Sequence, residues 1–141
     1  YGAKKAEAEE LLRTSSVVVL AAGLTDETRG MLNARTLALM PDGAYLVNVG
    51  RGGLVEMEAL LAELRSGRLS AALDVTDPVE PLPPEHELRR LPNVLLTPHV
   101  AAGGIEMRHA LGETAAAEVA RFFRGERLEN VVTPEMLARM T

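Results

Sequence analysis

Four side chains that could act together in catalysis lie at or after the ends of short apolar segments of the sequence: Arg51, Asp74, Glu80 and His99. An arginine guanidinium offers a planar fork of donors that matches a carboxylate. A histidine can exchange a proton near neutral pH, and a neighbouring glutamate can orient the imidazole and stabilise its charged form. The set suits a substrate with a carboxylate beside a carbonyl or hydroxyl group. Oxidation or reduction of that group also needs a nicotinamide, because no side chain transfers hydride.

Each of these residues also has a purely structural explanation. The glycine-rich segment around Arg51 can be an ordinary turn, and Pro98-His99 after a strand can be structural. Glu80 can be a solvated loop residue, and Asp74 can cap a turn. Their positions favour a joint role, because ligands of open parallel sheets bind at the carboxyl ends of the strands.

Predicted strands and helices alternate along the chain. Short runs of apolar residues predict strands at 17–21, 44–49, 69–75 and 94–97, the first of them covered on both faces. Helical patterns with N-caps or terminal glycines cover 5–13, 33–40, 56–65 and 104–123, and a short last helix begins at 133–135. The proline-rich stretch 76–92 is predicted to be a loop. This alternation predicts an α/β fold with a mostly parallel sheet.

Composition excludes several classes of protein. The 141 residues fit one domain, and 47% apolar with 25% charged residues is typical of a globular protein. The net charge is −5 and the 15 basic residues are spread along the chain, which argues against a nucleic-acid surface. Without cysteine there are no disulfides or thiolate metal sites, and we predict no metal. No signal-peptide core or membrane span is evident, so we expect a cytoplasmic protein.

Three segments in order carry a resemblance to a known family. They are Val-Asn-Val-Gly-Arg-Gly-Gly-Leu-Val at 47–55, Ala-Ala-Leu-Asp-Val at 71–75 and Asn-Val-Leu-Leu-Thr-Pro-His at 93–99. Their sequence and spacing resemble the D-isomer-specific 2-hydroxyacid dehydrogenases, over nearly all of the chain. The resemblance implies a Rossmann-like domain that binds NAD, with NADP not excluded. It also implies a small 2-hydroxy or 2-keto acid as substrate and a homodimer.

The resemblance also implies roles for individual residues. Arg51 matches the family arginine that binds the substrate carboxylate and carbonyl, His99 the acid/base, and Glu80 the carboxylate partner of that histidine. Asp74 matches an acid that holds the nicotinamide end of the cofactor. Further positions match residues that line the cofactor cleft: Ala22, Thr28, Val49, Gly50, Val100, Ala101 and Ala102.

The sequence departs from the family pattern near the site. Ser16 replaces a usual aspartate, and Gly23 replaces a usual proline. Gly50 stands where the family has a small side chain, which we expect to add backbone freedom. The loop from Asp74 to Glu80 is one residue longer than usual, with Val79 the extra residue. An Ala-Ala-Gly sequence at 101–103 replaces an Ala-Gly pair.

The family's cofactor domain opens with a strand and a G-x-G-x-x-G turn, and neither is present in this sequence. We therefore expect a partial chain: a Rossmann-like fold that lacks its first two strands, with residues 1–129 as the C-terminal portion of the dinucleotide-binding domain and 130–141 as a tail helix. In the strand order 3-2-1-4-5-6 the strands present would be 3 to 6. Strand 17–21 would then pair with strands of another polypeptide, pair directly with 44–49, or be exchanged between two copies.

Three functional hypotheses follow. The chain is part of an NAD(H)-dependent oxidoreductase, or a non-catalytic truncated domain or assembly module whose Arg51, Glu80 and His99 are idle, or an unrelated α/β binding domain. Tight NADH binding by the purified chain would contradict an idle module.

Overall fold

The computed structural model describes residues 2–137 of the chain. The helices are α1 (Ala8–Thr14), α2 (Ala34–Leu37), α3 (Met57–Arg65), α4 (Ile105–Arg124) and α5 (Pro134–Leu137). The strands are β1 (Val17–Leu20), β2 (Tyr45–Asn48), β3 (Ser70–Leu73) and β4 (Val94–Leu96). Two short 3-10 turns, Gly52–Leu54 and Glu87–Arg89, interrupt segments that were expected to be irregular.

The four strands form one parallel sheet in the order β1-β2-β3-β4. Leu46 of β2 is opposite Val18 of β1 and Ala71 of β3, and Ala71 is opposite Val94 of β4. The α/β class and the parallel sheet are therefore confirmed. The direct pairing of β1 with β2 is the second of the three arrangements expected for strand 17–21.

The observed order changes the position assigned to β1. In a 3-2-1-4-5-6 sheet, strands 3 and 4 are separated by two others, whereas β1 and β2 are neighbours. The four strands β1 to β4 therefore occupy adjacent positions on one side of the sheet, and the expectation that they are strands 3 to 6 of that order is wrong for β1. An apolar run predicts a strand but carries no information about its neighbours, so the sequence could not give this order.

The core lies on one face of the sheet. Alternate residues of the strands point into it, and helices α1 to α3 contribute leucines to the same cluster. Leu37 of α2, Leu46 of β2, Leu60 of α3 and Leu54 are fully buried. Burying a leucine side chain contributes about 1.5–3 kcal/mol, so each of these four residues contributes to the stability of the fold.

The opposite face of the sheet is exposed in the part of the chain that the structure describes. Val17, Val19, Tyr45 and Leu95 are each more than half exposed. The expectation that strand 17–21 is covered on both faces is therefore wrong for Val17 and Val19. Helix α4 has no buried residue and does not cover this face.

Local interactions fix the ends of several elements. Asn33 and Thr36 form a capping box at the start of α2. Gly67 after α3 and Gly125 after α4 have positive φ angles, as expected for glycines that end helices. After α4, the Glu118 carboxylate accepts hydrogen bonds from the backbone of residues 129 and 130.

The predicted tail 130–141 falls only partly within the structure. Helix α5 starts after Thr133, as expected, and residues 138–141 lie outside the described residues. Among residues 2–137, none of the helices combines the length and the apolar character that crossing a bilayer requires.

Candidate functional site

The predicted catalytic side chains follow strands that run in the same direction. Arg51 comes after β2, Asp74 and Glu80 after β3, and His99 after β4. Because the strands are parallel neighbours, all four residues lie at one edge of the sheet.

Glu80 and His99 form a direct pair. The Glu80 Oε1 atom is 2.5 Å from His99 Nδ1, and the other carboxylate oxygen accepts a hydrogen bond from the Thr76 N–H at 3.3 Å. The Thr76 hydroxyl in turn donates to the Val79 carbonyl at 2.7 Å. This bond holds Val79, the extra residue of the loop, within the turn between Thr76 and Glu80. The side chains of His99 and Glu80 are 52% and 36% exposed, which leaves the imidazole accessible to a ligand.

His99 has an unusual backbone conformation. Its φ angle is 55°, in the left-handed region, and it is the one non-glycine residue with positive φ among those the structure describes. Histidine tolerates this region better than most residues, yet the conformation is strained by about 1–2 kcal/mol. Strain of this kind persists only where surrounding contacts hold it, and it often marks a functional site.

The contacts that hold His99 come from Asp74. The Asp74 carbonyl accepts the His99 N–H at 3.0 Å. Its carboxylate accepts from the Thr97 hydroxyl at 2.6 Å and from the N–H groups of Val100 and Ala101 at 2.8 and 2.9 Å. Asp74 therefore fixes the backbone on both sides of His99 through hydrogen bonds.

These hydrogen bonds also favour the charged form of Asp74. Partial desolvation raises its pKa, but the donors on Thr97, Ala101 and Val100 together outweigh that effect. The pKa of Asp74 is therefore held below its ordinary value of 3.8. Asp74 remains a carboxylate at neutral pH and keeps its acceptor role.

Arg51 is exposed, and its turn is held by the buried side chain of Asn48. The Asn48 Nδ2 atom donates to the Arg51 carbonyl at 2.9 Å, and its Oδ1 accepts the Gly50 N–H at 3.1 Å. The guanidinium Nη1 donates to the Gly50 carbonyl at 2.9 Å, which leaves further donors for a ligand.

A continuous set of hydrogen bonds joins the strand ends that carry Arg51 and His99. Asn48 holds the Arg51 carbonyl, the Asn48 carbonyl accepts the Asp74 N–H at 3.0 Å, and the Asp74 carbonyl accepts the His99 N–H. The positions of the guanidinium-bearing and imidazole-bearing turns are thus coupled through the ends of β2 and β3.

The predicted cofactor residues lie at the same edge, with differing contacts. Gly50 is packed against Ala22: a Cβ atom at Gly50 would lie 2.8 Å from the Ala22 carbonyl oxygen. Gly50 has no positive φ, so close approach and not the expected backbone freedom explains a glycine here. The Thr28 hydroxyl donates to the Gly23 carbonyl at 2.8 Å and is engaged within its own turn.

The remaining cofactor residues, Val49, Val100, Ala101 and Ala102, differ in their contacts and exposure. Val100 and Ala101 are held by Asp74 through their backbone N–H groups, so Asp74 already uses both carboxylate oxygens inside the protein. The side chains of Val49 and Val100 are 40% and 51% exposed and offer apolar surface at this edge. Ala102 is exposed in the turn before α4.

A cleft of about 520 Å³ lies beside the histidine-glutamate pair. His99, Glu80, Asp74 and Thr97 line it together with apolar residues of the proline-rich loop and β4. Arg51 is not part of its wall. The structure thus brings Glu80, His99 and Asp74 together and places Arg51 on the same edge without a hydrogen bond to them.

Sequence patterns do not single out two residues of this site. Asn48 lies within a predicted strand, although a polar residue among apolar ones at a strand end can indicate a buried hydrogen-bonding role. Thr97 is the last residue of a predicted strand, and its bond to Asp74 depends on the adjacency of β3 and β4.

Comparisons with known proteins agree with this description. Residues 1–101 match the family model described as D-isomer specific 2-hydroxyacid dehydrogenase, NAD binding domain. A glyoxylate reductase of Thermofilum pendens is 40% identical over 130 residues, which are 92% of this chain and 38% of that protein.

Solved structures are also similar to this chain. The D-isomer specific 2-hydroxyacid dehydrogenase of Xanthobacter autotrophicus, in complex with NADPH and MES, has a TM-score of 0.79 and 41% identity, covering 91% of this chain and 52% of its own. The D-lactate dehydrogenase of Lactobacillus jensenii with NAD+ has a TM-score of 0.83 and 26% identity, covering 91% and 42%.

The chain spans about two fifths of the length of the curated relatives it matches. The family match, by contrast, covers well over half of the chain and includes Arg51, Asp74, Glu80 and His99. This chain therefore belongs to the D-isomer specific 2-hydroxyacid dehydrogenase family and represents part of its NAD binding domain.

Proposed function

We propose that this chain is part of an NAD(H)-dependent oxidoreductase that interconverts a 2-keto acid and the corresponding 2-hydroxy acid. The observation that carries the proposal is the 2.5 Å pair between Glu80 and His99 at the same sheet edge as Arg51. An acid/base and a carboxylate-binding cation are the two protein groups that this reaction needs.

Arg51 is proposed to bind the substrate carboxylate. Its guanidinium is exposed and uses one donor on the Gly50 carbonyl, so further donors are available for a two-point contact with a carboxylate. The same contact would orient the neighbouring carbonyl group toward the site.

His99 is proposed to transfer the proton. With Nδ1 bonded to Glu80, the Nε2 atom of the imidazolium is the one that can protonate the carbonyl oxygen of a 2-keto acid. A nicotinamide, when bound, would supply the hydride chemistry that no side chain can provide. In the reverse direction His99 takes the hydroxyl proton. Glu80 orients the ring and stabilises its charged form, and the strained turn at His99 is held in place by Asp74.

NAD is the proposed cofactor, with NADP as the alternative, since related structures contain NAD+ and NADPH. The groups available to hold the nicotinamide half are the exposed Val49 and Val100 and the tight Gly50–Ala22 backbone. We also propose that Thr28, Asp74, Ala101 and Ala102 border the cofactor. Asp74 would act mostly by fixing the 97–101 turn.

A non-catalytic role is the second candidate. One face of the sheet exposes apolar residues, as an assembly module would.

We further propose a homodimer, a cytoplasmic location, and the division into a cofactor-domain portion (1–129) and a tail (130–141). Light scattering on the purified protein tests the dimer.

The test of the proposed function is cofactor-dependent turnover by the polypeptide that the gene encodes. Glyoxylate, hydroxypyruvate and pyruvate are offered with NADH or NADPH, and absorbance of the reduced nicotinamide is followed. We expect the reduced nicotinamide to be oxidised only when a keto acid is present. Arg51→Ala should raise the KM for the keto acid, while the Kd for NADH changes little. Saturable NADH binding without turnover of any 2-keto acid would contradict the proposal.

A further inference from the structure

We propose that Asn48 is a positioning residue that sets the backbone of Arg51 for carboxylate binding, an inference that rests on the proposed function. Asn48 is 1% exposed, and both ends of its amide are engaged by the turn that carries Arg51.

The position of Asn48 in the sheet is one where an apolar residue would be expected. It points into the core from β2, and its neighbours in register are Leu20 of β1 and Leu73 of β3, both buried. Burying an amide is unfavourable unless its hydrogen bonds are satisfied. A leucine here would pack against the same neighbours, so the amide must provide something that packing alone does not.

The amide provides hydrogen bonds that fix the backbone on both sides of the Gly50–Arg51 peptide bond. Its Oδ1 accepts the Gly50 N–H at 3.1 Å, and its Nδ2 donates to the Arg51 carbonyl at 2.9 Å. Together these bonds fix the direction in which the chain leaves β2. The Arg51 backbone is extended, with φ −139° and ψ 146°, and its guanidinium bonds back to Gly50. The origin of the Arg51 side chain is therefore set by Asn48.

A stabilising role alone would also explain buried hydrogen bonds, and a second asparagine separates the two explanations. Asn93 Nδ2 donates to the carbonyls of Leu64 and Leu69 at 3.0 and 2.7 Å. It precedes β4 and so lies at the opposite edge of the sheet from Arg51. Asn93 makes the same kind of bond without contact to the site.

The experiment compares Asn48→Ala, Asn48→Leu and Asn93→Ala in the encoded polypeptide. Thermal denaturation, the KM for glyoxylate, kcat, and the Kd for NADH are measured for each, well below its own Tm. Both alanine variants should have a lower Tm. Asn48→Ala should raise the KM for glyoxylate about ten- to a hundredfold, because small displacements of a binding group have effects of this size. Its Kd for NADH should rise by much less than its KM for glyoxylate, because Gly50 keeps its packing against Ala22.

Asn48→Leu keeps the packing against Leu20 and Leu73 but removes both hydrogen bonds to the Arg51 turn. It should raise the KM for glyoxylate with a smaller loss of stability than Asn48→Ala, because it leaves no cavity, and it decides the question if Asn48→Ala does not fold. Asn93→Ala should leave the KM unchanged. If the Asn48 variants have the KM of Asn93→Ala while Arg51→Ala raises it, the positioning role is wrong and the proposed function stands. If Arg51→Ala itself leaves the KM unchanged, the proposed function fails.

Discussion

Gly52 and Thr76 are in such close approach that no side chain fits between them. A Cβ atom at Gly52 would lie 2.2 Å from the carbonyl carbon of Thr76 and 2.4 Å from its oxygen. Gly52 follows Arg51, and the Thr76 N–H donates to Glu80. The turn with the proposed carboxylate-binding group therefore packs directly on the loop with the partner of His99.

Gly52→Ala should destabilise the protein, because the backbone of Thr76 must move to admit a methyl group. We expect a loss of about 1–3 kcal/mol in the free energy of unfolding, the usual size of an overpacking effect. Urea denaturation measures it. Gly112 in α4 is the matched control: a Cβ atom there has no neighbour within 4 Å, so Gly112→Ala should stabilise the helix by about 0.5–1 kcal/mol. Equal effects of the two substitutions would contradict the close approach.

Asp74→Asn should reduce stability in a pH-dependent way. Asn cannot accept at both positions, so we expect a loss of about 1–3 kcal/mol at neutral pH. The pKa of Asp74 is lower in the folded protein than its ordinary value of 3.8. Stability from the carboxylate is thus complete above that value and is lost as the pH falls through the folded pKa.

The check on Asp74 is urea denaturation of wild type and variant over a series of pH values. The difference in unfolding free energy should be constant near neutrality and shrink below pH 3.8. Asp26→Asn, at an exposed residue of the turn after β1, is the control and should change stability little. A difference that does not vary with pH would show that the Asp74 charge does not hold the turn.

Substitution of His99 should reveal the strain in its backbone. At a φ of 55° a β-branched side chain is strongly disfavoured, whereas asparagine tolerates the left-handed region. His99→Val should therefore be less stable than His99→Asn by about 1–2 kcal/mol. Both variants lose the bond to Glu80, so that loss cancels in the comparison. Equal unfolding free energies would mean that the residue does not adopt this conformation.

Glu80→Gln should impair the chemical step more than substrate binding. The amide cannot stabilise a charged imidazole, so kcat should fall by about ten- to a hundredfold, within the range for acid-base groups. The KM for the keto acid should change little, since Arg51 provides that contact. Steady-state kinetics with NADH measure both values. Glu85→Gln, an exposed position of the same loop, should be kinetically silent, and a similar loss there would point to a general effect on the loop.

Much of the fold could be predicted from local patterns. The strands are apolar runs, and the helix ends carry recognisable caps such as Asn33, Gly67 and Gly125. The location of Arg51, Glu80 and His99 at one edge follows from the parallel sheet. The strands and helix ends depend on residues near one another in sequence, and the shared edge depends only on the strands running parallel.

Other features depend on contacts between distant parts of the chain. Arg68 donates to the carbonyls of Leu37 and Met40, which lie about thirty residues earlier in the chain. These backbone carbonyls need hydrogen-bond partners, but the sequence around Arg68 does not indicate that it provides them. The clamp of Asp74 on 97–101 and the packing of Gly52 on Thr76 arise only when the strand ends meet. The exposed face of the sheet could not be predicted for the same reason, because an apolar run of residues does not indicate which other segment packs on it.

The most direct test of the proposed chemistry is kcat/KM for glyoxylate in His99→Ala relative to wild type, with saturating NADH. If His99 transfers the proton, the ratio should fall by about 10²- to 10⁴-fold, as for loss of a general acid. NADH binding by the variant, followed by fluorescence, should persist. A His99→Ala protein that reduces glyoxylate as fast as wild type would contradict the account.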